Sequence, residues 1–419
     1  MRILLLIGPD PWIELYQRPF LDLGHEVSIL RLGTLTNEQI EKEIRAFGPH
    51  FCLCQSLFPF DPGTTSQGEF LEDLLSRLNI RTAAWMVDGF STGSLPFRER
   101  FLKAKLPQSV IYFSVDRGHL SLFENAGVKS FHLPVGISKE LESIKIGPFK
   151  DKLEVAFVGA PPPNALQAPL ASRAQILPTF QAFFLVELFE FLKSVIVKNQ
   201  LQWTEIQLME KLSILVPSIT EFFQADANTA NFFEQMKANL LQKAKEALGE
   251  PLFFYFQIYA DLLDFSYSHY QITDRLSRLS ETQNVQIFGG DRWRSYLGLT
   301  HDTPKLSLSE LYSVFKNAPI LICLTKWHFK TVTHERPLLT LACGGFPLTD
   351  HREELNEMLS SDEVASYSSY EEMRDKIQFY LNHPAERNKI SAAGRARVFK
   401  DHTYHHRAQK ILEVMQKEI

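Results

Sequence analysis

Arg336 and Pro337 open a helical run that ends at Gly344-Gly345 within residues 334–350, HERPLLTLACGGFPLTD. Proline is pre-set for the first turn of a helix, where its missing N–H is no loss. A cation beside the N–H groups of that turn makes a phosphate-binding geometry, unless Arg336 is simply a surface residue at the helix start. The glycines then let the chain turn sharply into a strand over 346–348, closed by a polar turn over 350–353. A second set of chemically capable groups is acidic. Asp10, Asp88 and Asp116 each follow a short apolar run. In open α/β sheets, ligands bind beyond the carboxyl ends of strands, so these loops are expected to line a cleft. Two readings of Asp88 and Asp116 stand side by side: a cap on the following turn, or a ligand contact.

The elements that must position these groups follow from periodicity. Up to about residue 140, apolar strands over 2–7, 26–30, 51–55, 81–87, 110–114 and 130–133 alternate with helical patterns such as 17–23 and 68–78. That alternation is the signature of a parallel sheet wrapped by helices. Residues 136–152 read as a linker. A new strand over 153–158 runs into Gly159-Ala160-Pro161-Pro162-Pro163-Asn164. This loop either brings backbone close to a ligand or is stiff for its own sake. From about residue 172 to 281 the alternation stops, and no glycine falls between Gly159 and Gly249. The segment reads as an inserted helical bundle. Its aromatic stripes, with Phe180, Phe183, Phe184, Phe189 and Phe191 near the start and Phe253, Phe254, Phe256 and Phe265 later, are its expected core. The alternative is a face for a membrane surface or a protein partner. Strands over 284–288, 320–324 and 364–367 and amphipathic helices over 369–381, 385–398 and 402–417 complete the chain.

With 419 residues the chain exceeds one core, and 45% hydrophobic with 22% charged residues describes an ordinary globular protein. The expected divisions are 1–140, 141–175, 176–281, 282–400 and 401–419. A net charge of -5 gives no reason to expect nucleic acid. Cys52, Cys54, Cys323 and Cys343 sit in apolar surroundings, and the expectation is buried, reduced thiols and no metal. The opening apolar run is too short for a signal peptide, and no run reaches the roughly 18 residues of a transmembrane helix. A cytoplasmic protein is expected.

Several stretches, taken in order, resemble the GT-B glycosyltransferases, specifically the group related to the spore maturation protein CgeB. In the second half they are FVGAP at 157–161, FGGDRW at 288–293, LSLSELYSVFKNAPILICL at 306–324 and RPLLTLACGGFPLTD at 336–350. The tail from Tyr367 to Ala408 matches as well, through YSSYEEMRDKIQFYLNHPAERNKISAAGRARV and HTYHHRA. In the first half they are LGHEV at 23–27, AAWMVDGF at 83–90 and FSVDRGHLSLFENAG at 113–127. The resemblance covers nearly everything except the helical segment.

It implies an α/β fold of two Rossmann-like domains facing a cleft, a nucleotide-sugar donor on the C-terminal side and an acceptor on the N-terminal side. The acceptor is a glycan, a protein or a small molecule. No obligatory metal and no cofactor are implied, because a diphosphate can be met by cations and N–H groups. On this chain the donor-side candidates are Arg336, Lys326 and Arg292, the backbone around Gly289 and Gly290, Gly159 and Glu335. Trp293 either stacks on a base or packs into the domain. For an inverting reaction Asp88 is the candidate base, with Asp10, Asp116 and His119 behind it. There is one departure from the pattern. Where many relatives carry a donor-binding glutamate this chain has Leu339, and a second acidic position eight residues earlier is Thr331. Glu335 is expected on a different helical face from Leu339. Two readings follow: a glycosyltransferase with another hold on its donor, or a non-catalytic GT-B-like protein whose helical segment binds a partner. A third possibility is another nucleotide-dependent GT-B enzyme, such as a sugar epimerase or a phosphorylase, and the phosphorylase ranks low because no lysine specifies a pyridoxal cofactor.

Overall fold

The computed structural model describes residues 1–7, 14–33, 35–55, 71–87, 95–162, 173–224, 230–326 and 329–418. The first half carries β1 (Arg2–Ile7), β2 (Glu26–Arg31), β3 (Phe51–Gln55), β4 (Thr82–Met86), β5 (Val110–Ser114) and β6 (Ser130–His132). They pair in parallel in the order β2-β1-β3-β4-β5-β6. Between them lie α1 (Glu14–Asp22), α2 (Asn37–Phe47), α3 (Leu71–Arg77), α4 (Leu95–Leu102) and α5 (Leu120–Asn125). Along β1 the side chains alternate between two cores: Ile3, Leu5 and Ile7 enter one, Leu4 and Leu6 the other. Both faces of a parallel sheet are covered, which is why these strands read as unbroken apolar runs.

The second sheet has the order β11-β10-β9-β7-β8, again all parallel. Its strands are β7 (Val155–Val158), β8 (Val285–Phe288), β9 (Ile320–Cys323), β10 (Pro347–Asp350) and β11 (Ala365–Tyr367). Helices α10 (Arg292–Leu297), α11 (Leu308–Asn317), α12 (Arg336–Ala342), α13 (Leu355–Met358), α14 (Tyr370–Asn382), α15 (Pro384–Asp401) and α16 (Tyr404–Glu418) follow the strands. The turn expected to begin at Asp350 starts one residue later, because Asp350 pairs in β10 with Tyr367.

The connection from β7 to β8 would normally be one crossover helix. Here it is α6 (Ile176–Lys198), α7 (Glu205–Gln224), α8 (Ala230–Leu248) and α9 (Leu252–Ser280). Phe180, Phe184, Phe222, Phe223 and Phe256 are at most 1% exposed in the bundle core, and Phe183, Phe189 and Phe191 pack partly buried against it. Each fully buried ring is worth about 1.5–3 kcal/mol of transfer free energy. Ile272, Leu276 and Leu279 of α9 instead pack on the second sheet. The crossover helix has thus been lengthened toward its N-terminus, and the bundle is built on the extension.

Several contacts tie the two halves together. Ile411, Leu412 and Met415 of α16 enter the same core as Ile3 and Leu5 of β1, and Arg407 donates from Nε and Nη2 to the Val135 carbonyl at 3.1 and 2.9 Å. Residues 136–152, expected as a linker, are packed down: Leu141 is 1% exposed, and Arg395 donates to the Glu142 carbonyl. The bundle reaches the first domain, where Arg98 of α4 donates to the Ile258 carbonyl of α9 at 2.9 Å. All four cysteines are buried and free. Among the described residues, no helix is long and apolar enough to cross a membrane.

Candidate functional site

The order β9-β7-β8 brings together three loops that are far apart in sequence. Gly159 follows β7, Gly289 to Arg292 follow β8, and Lys326 to Arg336 follow β9. A Cβ placed on Gly159 would lie 3.7 Å from Arg336 Nη1, so the guanidinium lies over this glycine. The charge of Arg336 also reaches the Cys323 thiol at the end of β9, which burial nevertheless pushes up to about 12. Lys326 and Arg292 share a neighbour that sequence reasoning did not single out. His269 of α9 is 3% exposed, and its pKa is lowered to about 3 by burial first and then by the charges of Lys326 and Arg292. Only its place in a helical segment marked it beforehand, which is no signal at all.

The glycines do a different job from the one expected of them. Gly159 donates to the Phe288 carbonyl at 2.9 Å, Gly289 to that of Pro304 at 3.0 Å, and Gly290 to that of Thr303 at 2.9 Å. These N–H groups are spent on backbone and do not form a phosphate cradle. The glycines are needed for close approach: Gly289 has φ +139°, and a Cβ there would stand 2.0 Å from the Gly159 carbonyl oxygen. Trp293 holds the same junction. Its indole Nε1 donates to the Gly159 carbonyl at 2.7 Å, its ring meets Phe157 edge-on, and it is 0% exposed. Of the two readings of Trp293, the structure gives packing, with no ring face open for a base.

Helix α12 begins at Arg336 with Pro337 in its first turn, as expected, but it is only seven residues long. Pro337 has no N–H, and the Arg336 N–H donates to His334 Nδ1 at 3.3 Å. The anion-binding capacity of this corner therefore rests on the side-chain cations more than on the helix end. Glu335 occupies the N-cap position without a side-chain capping bond, and Leu339 N–H donates to its carbonyl at 3.0 Å. That is an i,i+4 pair, so Glu335 stacks on the same side as Leu339, one turn earlier, and not on a different face. Leu339 itself is half-buried against two apolar clusters. The loop carrying Lys326 is braced from β10: Asp350 accepts from Thr325 N–H at 2.8 Å and from Arg352 Nε at 2.9 Å.

Across the domain boundary, Asp116 is 0% exposed. Its carboxylate accepts from Gly118 N–H at 2.8 Å, which is the capping role. It also accepts from Thr331 Oγ1 at 2.6 Å and from the Lys330 and Thr331 N–H groups of the other domain. Glu354 reciprocates by accepting from Arg117 N–H at 2.8 Å and pairing with His132 Nε2 at 2.7 Å. Asp116 and Thr331 thus belong to a clasp between domains. His119 sits in the adjoining turn and is 4% exposed. Asp10 and Asp88 lie outside the described residues. Among the described residues, no group of His, Cys, Asp and Glu is placed to hold a metal ion.

A family described as glycosyl transferase-like matches residues 270–413, from within α9 into α16. The sucrose-phosphate synthase of Thermosynechococcus elongatus superimposes with a TM-score of 0.54 at 9% identity, over 100% of this chain and 98% of that one. HepE of Anabaena, in complex with UDP and glucose, superimposes with a TM-score of 0.50 at 9% identity over 100% of both chains. No curated protein matches the chain in sequence. At such identities the likeness is one of fold, and this chain has the GT-B fold of two parallel-sheet α/β domains.

Proposed function

We propose that the protein is a glycosyltransferase that moves a sugar from a nucleotide-sugar donor to an acceptor hydroxyl. What supports this reading is that Lys326 and Arg336 follow β9 and Arg292 follows β8, the two strands flanking β7, with the Arg336 guanidinium over Gly159, in a chain with this fold. A leaving diphosphate needs positive charge where its own negative charge develops, and side-chain cations fixed on a braced loop supply it without reorganisation. Arg336 is the first of the three because its planar fork matches phosphate oxygens two at a time. In this reading the three cations do the work that a divalent ion does in metal-dependent transferases. The acceptor oxygen attacks the anomeric carbon, the bond from that carbon to the diphosphate oxygen breaks, and the diphosphate leaves with the electron pair. On an inverting route the acceptor proton passes to a base. Asp88 and Asp10, in the segments after β4 and β1, are the proposed carboxylates. Glu335, at the start of α12, is the acidic side chain closest along the helix to the position held by Leu339.

The test is thermal melting of the protein against UDP-, GDP-, CMP- and dTDP-sugars, in wild type and Arg336→Ala. A ligand that binds only the folded state raises its stability by an amount set by concentration over Kd. Since HepE holds UDP and glucose, UDP-glucose is the first donor to try. A rise in Tm with one nucleotide class, lost in Arg336→Ala, supports the reading. Leu339, an apolar residue in place of a carboxylate, favours the second reading, a non-catalytic protein whose bundle holds a partner. Unchanged Tm with every nucleotide sugar would select that one.

A further inference from the structure

A cavity of about 510 Å³ opens at the base of the helical bundle, lined by Ser277, Ser280, Glu281, Gln283, Asn284 and His301 among others. It is not part of the cleft. Gln283 and Asn284 lead into β8 at Val285, whereas the cleft glycines follow Phe288 at the other end of the strand. Four strand residues at about 3.3 Å each put roughly 13 Å between the two ends. The volume falls in the range of small-molecule pockets, roughly 300–1,000 Å³.

The lining chemistry narrows the ligand. Among the described lining residues there is no lysine or arginine. The arginines nearest in sequence are engaged elsewhere, Arg278 with Glu371 at 3.0 Å and Arg294 with Asp302 at 3.1 Å. A phosphate or carboxylate would therefore meet Glu281 with no cation to offset it. A nucleobase would need an open aromatic face, but the Tyr296 ring is 5% exposed and belongs to the bundle core. The remaining surface is of two kinds. Two amides, several hydroxyls and one carboxylate offer paired donors and acceptors, while Leu297, Leu299 and Val285 offer an apolar wall. Ser280 Oγ is buried with no hydrogen-bond partner among the described residues, an atom that a ligand hydroxyl would satisfy. A sugar ring has the complementary anatomy, with a rim of neutral hydroxyls around apolar C–H faces.

We propose that this cavity is a binding site for a neutral saccharide unit, separate from the cleft. It would hold a glycan by a second point of attachment and stands whether or not the cleft is catalytic. The experiment is saturation-transfer NMR on the full chain with glucose, galactose, mannose, N-acetylglucosamine and maltose, without nucleotide. Expected is transfer to at least one of these sugars in wild type and in Arg336→Ala, with loss of the signal in Asn284→Ala and in Gln283→Ala. Asn284 is exposed, so if Gln283→Ala does not fold, the Glu281→Ala/Asn284→Ala pair carries the test. No transfer with any sugar overturns the proposal. So does a signal that survives the pocket variants, or one that disappears only in Arg336→Ala, which would place the sugar in the cleft.

Discussion

At the scale of single residues, the corner over β7 depends on two very different requirements. Arg336 is a matter of charge, and the melting experiment above measures its share directly. Gly289 is a matter of space. Its φ of +139° and the 2.0 Å gap to the Gly159 carbonyl oxygen leave no room for a methyl group. Gly289→Ala must therefore push the β7 and β8 loops apart, at a cost on the order of 1–3 kcal/mol for the strained backbone alone. A urea melt that shows no loss would mean the loops are not held together as described. His402 shows how burial sets a protonation state. Arg407 can only donate, so the contact from its Nη2 to His402 Nδ1 at 3.0 Å makes Nδ1 an acceptor and leaves Nε2–H to donate to the Met358 carbonyl at 2.9 Å. Burial first, and then the Arg407 charge, lowers its pKa to about 4. A histidine with a depressed folded pKa binds fewer protons folded than unfolded, so its contribution is complete above about pH 6.5 and is lost as pH falls toward 4. The slope is at most about 1.4 kcal/mol per pH unit. Denaturant melts from pH 7 to 4 should show a shallower decline in His402→Asn than in wild type, and equal slopes would refute the assignment.

At the scale of elements, α9 is the piece that does two jobs. Its N-terminal half is bundle core through Leu252, Phe256, Leu263 and Tyr267, and its C-terminal half covers the second sheet through Ile272, Leu276 and Leu279. His269 lies between the two stretches, where the charges of Lys326 and Arg292 reach it, so one continuous helix joins the bundle core to the strand-end cations. Phe180, 0% exposed on α6, packs in that bundle core. Phe180→Ala should cost about 3–5 kcal/mol of stability. Measured by denaturant melt, a loss under 1 kcal/mol would show that the bundle does not rest on its aromatic core.

At the scale of the whole molecule, the two domains are joined by an apolar core and a polar clasp. The core runs from β1 to α16, and the clasp links Asp116, Arg117 and His132 on one side with Thr331 and Glu354 on the other. Asp116→Asn puts an amide where three backbone N–H groups and a hydroxyl point at carboxylate oxygens, so part of that set loses its acceptor. The expected cost is about 1–3 kcal/mol, together with a larger radius of gyration by small-angle scattering as the domains separate. An unchanged radius with unchanged stability would show that the apolar core alone fixes the domain angle.

The sequence by itself determined the two alternating α/β halves, the Phe-rich helical segment between two strands, and the start of α12 at Arg336-Pro337. All of these are written in local periodicity and in residues with special backbone geometry, which neighbours along the chain can reveal. Tertiary structure alone decided what the groups at the strand ends bind. Gly289 and Gly290 give their N–H groups to Pro304 and Thr303, Trp293 closes on Gly159, and Asp116 reaches Thr331 across 215 residues. Sheet order places residues 159, 289–292, 326 and 329–336 side by side, and it brings in His269 from a helix that periodicity reads only as core. The physical reason is that a buried polar group must find a partner but carries no local mark of which one. Whether a glycine N–H faces a ligand or a carbonyl is settled only when distant loops meet.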